Sequence, residues 1–252
     1  TGGYGGSYKG TPRKEHSWVP FLMPFLEEET LYNMYRLDRH WHDSENADAI
    51  RRRIPVLECR STPSPDGRVH LMKEGNRTAT MAANDYTYPQ NIPSTLSDLG
   101  LITKPKNNKG LLRKNSRMRE ADVHDGLSQT MLFLEDSGRP LHYIANGKPG
   151  PMPSSTNGPN FDVNDTNVRG SGWANPAQAI PPHGFNLDGL TCPGPCVINC
   201  TNTNEAYAFH PDGINIVMGD GSVHFISEYI SVEVFAKMIT YQGGDVVSVG
   251  AW

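Results

Sequence analysis

The sequence predicts an α+β fold in which an antiparallel sheet, including a β-hairpin near the end of the chain, packs against helices. Residues 214–226 indicate the hairpin, because apolar and polar side chains alternate on both sides of Asp220-Gly221 and this alternation is typical of strands. Helical patterns begin near Pro24 and after Ser231, where residues suited to helix starts precede apolar positions. These helices supply the layer that covers the apolar face of the sheet.

The composition is that of a globular, loop-rich chain, and we treat residues 1–252 as a single domain. The chain has 252 residues, of which 37% are hydrophobic and 20% charged, with 25 glycines and 20 prolines, and this length is sufficient for one large core. A net charge of -4 gives no electrostatic reason to expect binding to nucleic acid or to an anionic membrane surface. No apolar run approaches the roughly 20 residues that span a bilayer.

The N-terminal part of the chain predicts short elements separated by loops. Pro24 suits the first position of a helix, and the glutamates at residues 27–29 suit the positive end of its dipole. Ser44 is a suitable N-cap for a second helix, which we predict over residues 44–53. We further predict a strand over residues 54–57, a loop over residues 61–75 and an extended segment over residues 79–88.

The C-terminal part combines an apolar strand, long loops and a last helix. We predict the strand over residues 130–135 and irregular chain over residues 147–159 and 170–189, which are rich in proline and glycine. Ser231 caps the last helix, Gly243 ends it, and its apolar face consists of Val234, Phe235, Met238 and Ile239. Residues 104–119 carry seven basic side chains, which form either a solvated loop or a contact patch for an acidic glycan or a neighbouring subunit.

The cysteines favour disulfides. Cys59 is distant from a cluster of three, Cys192, Cys196 and Cys200. An even number fits a secreted domain with two disulfides, in which Cys59 reaches the cluster. A zinc site is an alternative, although structural zinc sites prefer two separate, tighter pairs of ligands, and free thiols are another. The spacing does not determine the pairing.

His210 and Asp220 form the most distinctive pair of polar residues. Asp220-Gly221 suits a type I′ turn, which requires positive φ angles, and His210 precedes a second turn signal at residues 211–213. The pair is either a catalytic dyad, or part of a metal site completed by Glu205 or Glu135, or a structural device in which His210 pins a loop to the sheet. We favour the structural interpretation.

The sequence lacks the motifs of common enzymes. It contains no Gly-x-Ser-x-Gly elbow, no phosphate-binding glycine loop and no His-Glu-x-x-His. We therefore expect the chain not to be an enzyme.

Two weaker patterns suggest ligands. Trp173, Tyr207 and Tyr86 are candidates for stacking against sugar rings, although such residues are more often part of a core. The oxygen-bearing residues Asp162, Asn164 and Thr166 have the spacing of a calcium loop, but the glycine and the terminal glutamate of an EF-hand are missing. Turns formed by Asn and Asp side chains are the favoured alternative there. We therefore expect no cofactor, with calcium at these residues as the alternative.

Several segments together resemble a large family of pilin-like bacterial proteins that is abundant in planctomycetes. The function of this family is unknown, and its members are also described as similar to solute-binding proteins. The resemblance rests on His210, nine residues and then Asp220-Gly221. It extends to the segments at residues 18–33, 54–59, 84–86, 125–135 and 198–207, which follow the family order. The chain departs from the family pattern at Leu127, where threonine is usual, and at Gln129, where asparagine is usual.

The resemblance implies a pilin-like head enlarged by long loops. Family members begin with a short basic leader and a long apolar helix, so we expect this helix to lie before Thr1 and to be absent from the chain. The implied function is that of an exported structural subunit of the cell envelope or of an extracellular filament. Its partners would be other copies of itself, through the absent helix, or other envelope proteins, and membrane anchoring would depend on that helix alone. A surface module that binds solutes or glycans is the alternative, and a hydrolase is a third.

Overall fold

The computed structural model describes residues 7–8, 11–12, 14–63, 68–74, 77–113, 116–151, 168–244 and 247. Its strands are β1 (Ser7–Tyr8), β2 (Thr11–Pro12), β3 (Val69–Glu74), β4 (Arg77–Ala82), β5 (Tyr86–Thr87), β6 (Met131–Glu135), β7 (Tyr143–Ile144), β8 (Lys148–Pro149), β9 (Gly213–Met218) and β10 (Val223–Ser227). Its α-helices are α1 (Val19–Leu22), α2 (Glu29–Met34), α3 (Ala47–Ile50), α4 (Ser94–Asp98) and α5 (Val232–Ile239). Short 3-10 helices connect several of them, among them Met23–Phe25, Ser44–Asn46 and Pro55–Leu57.

The central sheet has the order β10-β9-β6-β5, and its neighbouring strands are antiparallel. In the terminal hairpin Val223 pairs with Val217 and Ile226 with Ile214, and Leu134 of β6 pairs with Ile216. The α+β fold and the strand predicted at residues 130–135 are confirmed. The same pairing places the last residue of β6, Glu135, beside the first part of β9.

The hairpin turn differs from the type I′ turn that the sequence predicts. Gly221 donates its backbone N–H to the carbonyl of Met218 (3.0 Å), and its φ of 85° is positive, whereas Asp220 is not among the residues with positive φ. A type I′ turn needs positive φ at both central residues, while a type I turn followed by a left-handed glycine needs it only at the glycine. The hairpin therefore has the longer, three-residue loop.

A second hairpin, β3–β4, occupies part of the segment predicted to be a loop, so that prediction is wrong for residues 69–74. At its start the usual pattern is reversed: Arg68, just before β3, and His70 are buried, whereas Val69 is 51% exposed. Further along the hairpin, Met72 and Met81 are buried apolar residues. The mixed pattern at the start of β3 weakens the hydrophobic periodicity that indicates a strand.

The N-terminal helices are shorter than predicted. The helix predicted from Pro24 is interrupted, because Glu27 has a φ of 60° between Met23–Phe25 and α2. In the second predicted helix Ser44 begins a 3-10 turn and does not cap it with its side chain. Residues 55–57 form a 3-10 helix with proline in its first turn, so the strand predicted there is wrong.

Two main hydrophobic clusters support these elements. The first packs α4, α5 and the central sheet together, with Leu96, Met131, Ile216 and Phe235 almost completely buried. The second joins the N-terminal helices to β4 around Trp173.

The last helix, α5, begins as predicted and ends earlier. Ser231 accepts a hydrogen bond from the backbone N–H of Val234 (3.2 Å), and Phe235, Met238 and Ile239 are buried. The helix ends at Ile239, since Thr240 is extended, and Gly243 lies beyond it. None of the helices in the described part of the chain has the length and apolar character that crossing a membrane requires.

Candidate functional site

Three side chains from distant parts of the sequence meet at one point. Cys59, Glu135 and His210 each offer a ligand atom, and these atoms all lie within 4.8 Å of one another. The Nε2 atom of His210 lies 3.0 Å from Oε1 of Glu135 and 3.7 Å from Sγ of Cys59. Each residue belongs to a different segment of those that carry the family resemblance, so those segments converge in space.

Local structure fixes each member of this cluster. Cys59 follows the 3-10 helix Pro55–Leu57, and its backbone N–H donates to Oδ2 of Asp85 (2.8 Å). Glu135 ends β6, and His210 lies in the turn that leads into β9. The backbone N–H of Asn215, on β9, donates to Oε2 of Glu135 (2.7 Å). The carboxylate is thereby oriented by the neighbouring strand.

The cluster is largely shielded from water. Glu135 is 1% exposed and Cys59 is 4% exposed, while about a quarter of the His210 side chain (24%) remains accessible. Burial raises the pKa of the Cys59 thiol, and the nearby carboxyl groups of Glu135 and Asp85 raise it further. Without a bound cation, the sulfur is therefore a neutral thiol at neutral pH.

The geometry does not suit a thiol–imidazole–carboxylate relay. In such a relay the nucleophile and the carboxylate contact opposite nitrogens of the ring, but here Cys59 and Glu135 both approach Nε2. The other nitrogen, Nδ1, lies 3.5 Å from Oγ of Ser61. The three donor atoms instead converge on a common point, which is how side chains hold a metal ion.

Asp220 and Glu205 do not join this cluster, so the alternative of a catalytic dyad between His210 and Asp220 does not match the structure. Asp220 lies at the other end of β9, where its Oδ1 accepts hydrogen bonds from the backbone and hydroxyl of Ser222 (2.9 and 2.7 Å); these lower the pKa of its carboxyl. Glu205 accepts hydrogen bonds from the backbone N–H groups of His183 (2.6 Å) and Gly184 (3.1 Å). Of the two carboxylates considered as metal partners of His210, only Glu135 is adjacent.

Next to the cluster lies a buried network of charges that the sequence did not reveal. Asp85, which is completely buried, accepts hydrogen bonds from both terminal nitrogens of Arg68 (2.8 and 2.5 Å) and from the backbone N–H of Gly138 (3.0 Å). Arg139 and Asp136 form a second buried pair, with 3.1 Å between Nη1 and Oδ2. The segments around residues 59, 85 and 138 are thus held together beneath the cluster.

The second pair is the less favourable of the two. Neither carboxylate oxygen of Asp136 has a partner in hydrogen-bonding geometry, so its contact with Arg139 is electrostatic only. Burial raises the pKa of the Asp136 carboxyl to about 8, although Arg139 acts in the opposite direction. The pair lies directly after Glu135 in the chain, and burying its two charges costs desolvation free energy.

A groove of about 610 Å³ opens beside His210. Its walls include Tyr207, Phe209, Tyr229 and the disulfide-bonded cysteines, and Glu228 and Asp212 add acidic groups. Tyr229 is 81% exposed. The groove therefore combines accessible apolar surface with carboxylates.

The structure corrects the predicted stacking residues. Trp173 is fully buried and Tyr207 is 1% exposed, so neither presents a free ring face, whereas Tyr86 is partly buried against the second cluster. Tyr207 donates its hydroxyl to the carbonyl of Ile144 (2.7 Å) and forms part of the groove floor. Tyr229, which the sequence analysis did not select, follows the hairpin and is the most exposed aromatic residue among those that line the groove.

The cysteines differ from the prediction of two disulfides. Cys196 and Cys200 form one disulfide, whereas Cys59 and Cys192 are free. Cys59 lies in the cluster with Glu135 and His210 and forms no disulfide with the other cysteines. The predicted pairing of Cys59 is therefore wrong, and the three clustered thiols do not form a zinc site.

Two predicted sites remain, the calcium site and the basic segment at residues 104–119. The calcium candidates Asp162, Asn164 and Thr166 lie outside the described residues. The basic segment borders a second groove of about 640 Å³, where Lys104, Lys106 and Lys109 are lining residues.

Residues 2–233 match a protein family described as "Protein of unknown function (DUF1559)". The chain belongs to this family. The matched residues include Cys59, Glu135 and His210, so the candidate site lies within the family domain. No curated protein and no solved structure matches the chain.

Proposed function

We propose that this chain is the head of an exported structural subunit, pilin- or pseudopilin-like, of the cell envelope or of an extracellular filament. The observation that carries the proposal is that polar side chains of the family-like segments contact the chain's own backbone. Asp85, Glu135 and Asp220 all accept hydrogen bonds from backbone N–H groups. Such contacts stabilise a scaffold. The proposal includes no enzymatic activity and no nucleic-acid partner.

The disulfide supports the export part of the proposal. Cys196 and Cys200 are bridged, and disulfides persist in oxidising compartments outside the cytoplasm. Assembly and membrane anchoring would use an apolar helix preceding this chain, either with other copies or with other envelope proteins.

Localisation in cells tests the proposal directly. Immunogold electron microscopy with an antibody against this chain is expected to label the cell envelope or extracellular filaments. Labelling confined to the cytoplasm, with the Cys196 and Cys200 thiols reduced, would contradict it.

The groove beside His210 supports a second candidate, a surface module that binds solutes or glycans. Clefts that bind small molecules combine apolar walls with a few polar groups, and here Tyr229 stands beside Glu228 and Asp212. Sugar rings stack on exposed aromatic faces, and the adjacent carboxylates would accept hydrogen bonds from sugar hydroxyls.

A glycan array followed by a matched pair of variants distinguishes the two candidates. If the groove binds a glycan, Tyr229→Ala should reduce the array signal at least tenfold. Phe25→Ala should leave it unchanged, since Phe25 is also 81% exposed but is not among the groove residues. If both variants lose the signal equally, or if the parent gives no signal, glycan binding in the groove is contradicted.

A further inference from the structure

We propose that Cys59, Glu135 and His210 form a binding site for a divalent metal ion of the zinc class. The sulfur, carboxylate oxygen and imidazole nitrogen of these residues are the three donor types that Zn²⁺ accepts in proteins. All three donor atoms lie within 4.8 Å of one another. The proposal is independent of whether the chain assembles into filaments or binds glycans.

The two separations that involve His210 are close to those of tetrahedral coordination. At the usual bond lengths of zinc to sulfur, nitrogen and oxygen, tetrahedral angles place neighbouring ligand atoms roughly 3.2 to 3.6 Å apart. Here Nε2 of His210 lies 3.7 Å from Sγ of Cys59 and 3.0 Å from Oε1 of Glu135. The sulfur and the carboxylate lie within 4.8 Å of each other, so side-chain rotation would bring the three atoms around one ion.

The contacts of the imidazole centre on the carboxylate of Glu135. Nε2 of His210 lies 3.0 Å from Oε1, and the Nδ2 amide of Asn215 lies 3.4 Å from Oε2 and 3.3 Å from Nε2. An ionised carboxylate can only accept, so without a cation Nε2 carries the proton that it donates to Oε1. A cation would replace that proton and would bind the lone pairs of sulfur, oxygen and nitrogen together.

Charge also favours a divalent cation. Glu135 is buried, and no lysine or arginine in the described part of the chain pairs with it, since Arg68 pairs with Asp85 and Arg139 with Asp136. A thiolate and a carboxylate together carry two negative charges, which a divalent ion neutralises. On binding, the Cys59 thiol releases its proton to solvent, so the buried site becomes neutral overall.

Neighbouring groups already orient the three ligands, as occurs around metal sites. The backbone N–H of Asn215 holds the other oxygen of Glu135 (2.7 Å), and the hydroxyl of Ser61 faces Nδ1 of His210 (3.5 Å). The His210 side chain is partly accessible and borders the 610 Å³ groove. An ion therefore has an entry path from the groove, and a bound ion would join the segment at Cys59, the end of β6 and the turn before β9.

Metal analysis of the purified 252-residue chain tests the proposal. The chain is stripped with a chelator, dialysed against Zn²⁺ or Co²⁺, and analysed by plasma mass spectrometry and absorption spectroscopy. We expect about one ion per chain and, with Co²⁺, a thiolate-to-metal charge-transfer band. Folded parent protein that takes up no stoichiometric metal, or a cobalt complex without that band, would overturn the proposal.

Matched variants locate the ion. Cys59→Ser, Glu135→Gln and His210→Ala should each weaken zinc binding at least tenfold, and Cys59→Ser should abolish the charge-transfer band. Cys192→Ser is the control, because Cys192 is the other free cysteine and is not part of the cluster. Loss of binding in Cys192→Ser with retention in Cys59→Ser would refute the assignment. If a variant fails to fold, the metal content and the cobalt band of the parent protein still test the proposal.

Discussion

At the scale of single residues, His210 fastens the turn before β9 to the end of β6. Its ring contacts Glu135, and the turn it occupies also contains Asp212, whose φ of 66° is unusual for a residue other than glycine. Such a backbone conformation persists only when surrounding contacts hold it. The structural function that the sequence analysis favours for His210 stays a prediction, and its partner in the structure is Glu135 and not Asp220.

Replacing His210 with alanine is therefore expected to destabilise the fold. The loss of hydrogen bonds to a buried carboxylate should lower the free energy of unfolding by about 1–3 kcal/mol. Urea denaturation in the presence of a chelator measures this effect without any contribution from bound metal. His224→Ala is the control and should reduce stability less than His210→Ala does, because the ring of His224 is only partly buried and contacts the hydroxyl of Ser222 (3.0 Å), not a buried carboxylate. Equal stabilities of His210→Ala and the parent would show that the contact is not structural.

His183 makes folding sensitive to acid. Burial lowers the pKa of its imidazole to about 4, and burial raises the pKa of the neighbouring Glu205 carboxyl well above its ordinary value. The unfolded chain binds a proton at His183 near pH 6.5 while the folded chain does not, so stability falls as the pH drops from about 6.5 to 4. This single group accounts for at most about 3 kcal/mol of that loss.

The His183→Gln variant isolates this contribution. Between pH 7 and pH 4 it should lose less stability than the parent, by up to about 3 kcal/mol, as measured by urea denaturation at both pH values. His16 and His142, whose pKa values burial also lowers, remain in both proteins and cancel in the comparison. Identical losses in parent and His183→Gln would mean that His183 is protonated in the folded state.

At the scale of elements, Gly221 determines the form of the terminal hairpin. A β-carbon at this position would meet nothing within 4 Å, so the constraint is its φ of 85° and not a lack of space. Gly221→Val should reduce the free energy of unfolding by ~1 kcal/mol or more, because β-branched residues disfavour positive φ. Gly221→Asn should cost less, since asparagine tolerates that region. Thermal unfolding of both variants checks the order, and an equally stable valine variant would contradict it.

The elements that the sequence predicts best are those whose apolar pattern matches their burial. In β9 the buried Ile214, Ile216 and Met218 alternate with less buried residues, and α5 buries three of its four predicted apolar residues. At the start of β3 the pattern is mixed, because the buried Arg68 and His70 are held by Asp85 and Ser171, while Met72 is a buried apolar residue. Polar contacts between residues distant in sequence bury these side chains, and local sequence patterns do not predict such contacts.

At the scale of the whole molecule, the candidate site forms only when distant segments meet. His210 and Cys59 are 151 residues apart in the sequence and lie in contact in the structure. The sequence identified His210 and named Glu135 among its possible partners, but it assigned Cys59 to a disulfide. Cysteine number and spacing do not distinguish a thiol that is buried beside a histidine from one that is bridged, and only the packing of the segments around Asp85 does so.

The cysteine arrangement yields a prediction for the intact chain. Under denaturing conditions without reductant, alkylation should label Cys59 and Cys192 and leave Cys196 and Cys200 bridged. Intact-mass measurement should therefore show two labels, and reduction should raise the number to four. Four labels before reduction would argue against an oxidising compartment.

The bridge spans few residues, so its effect on global stability should be limited. Cys196 and Cys200 are four positions apart, and in the chain-entropy description such a short loop contributes about 2 kcal/mol. The Cys196→Ser, Cys200→Ser double variant should therefore still fold, with unfolding free energy reduced by about that amount in urea denaturation. Because both cysteines line the groove beside His210, any glycan that the parent binds should bind more weakly to the variant. A double variant that does not fold would show that the disulfide holds the architecture and not only this local loop.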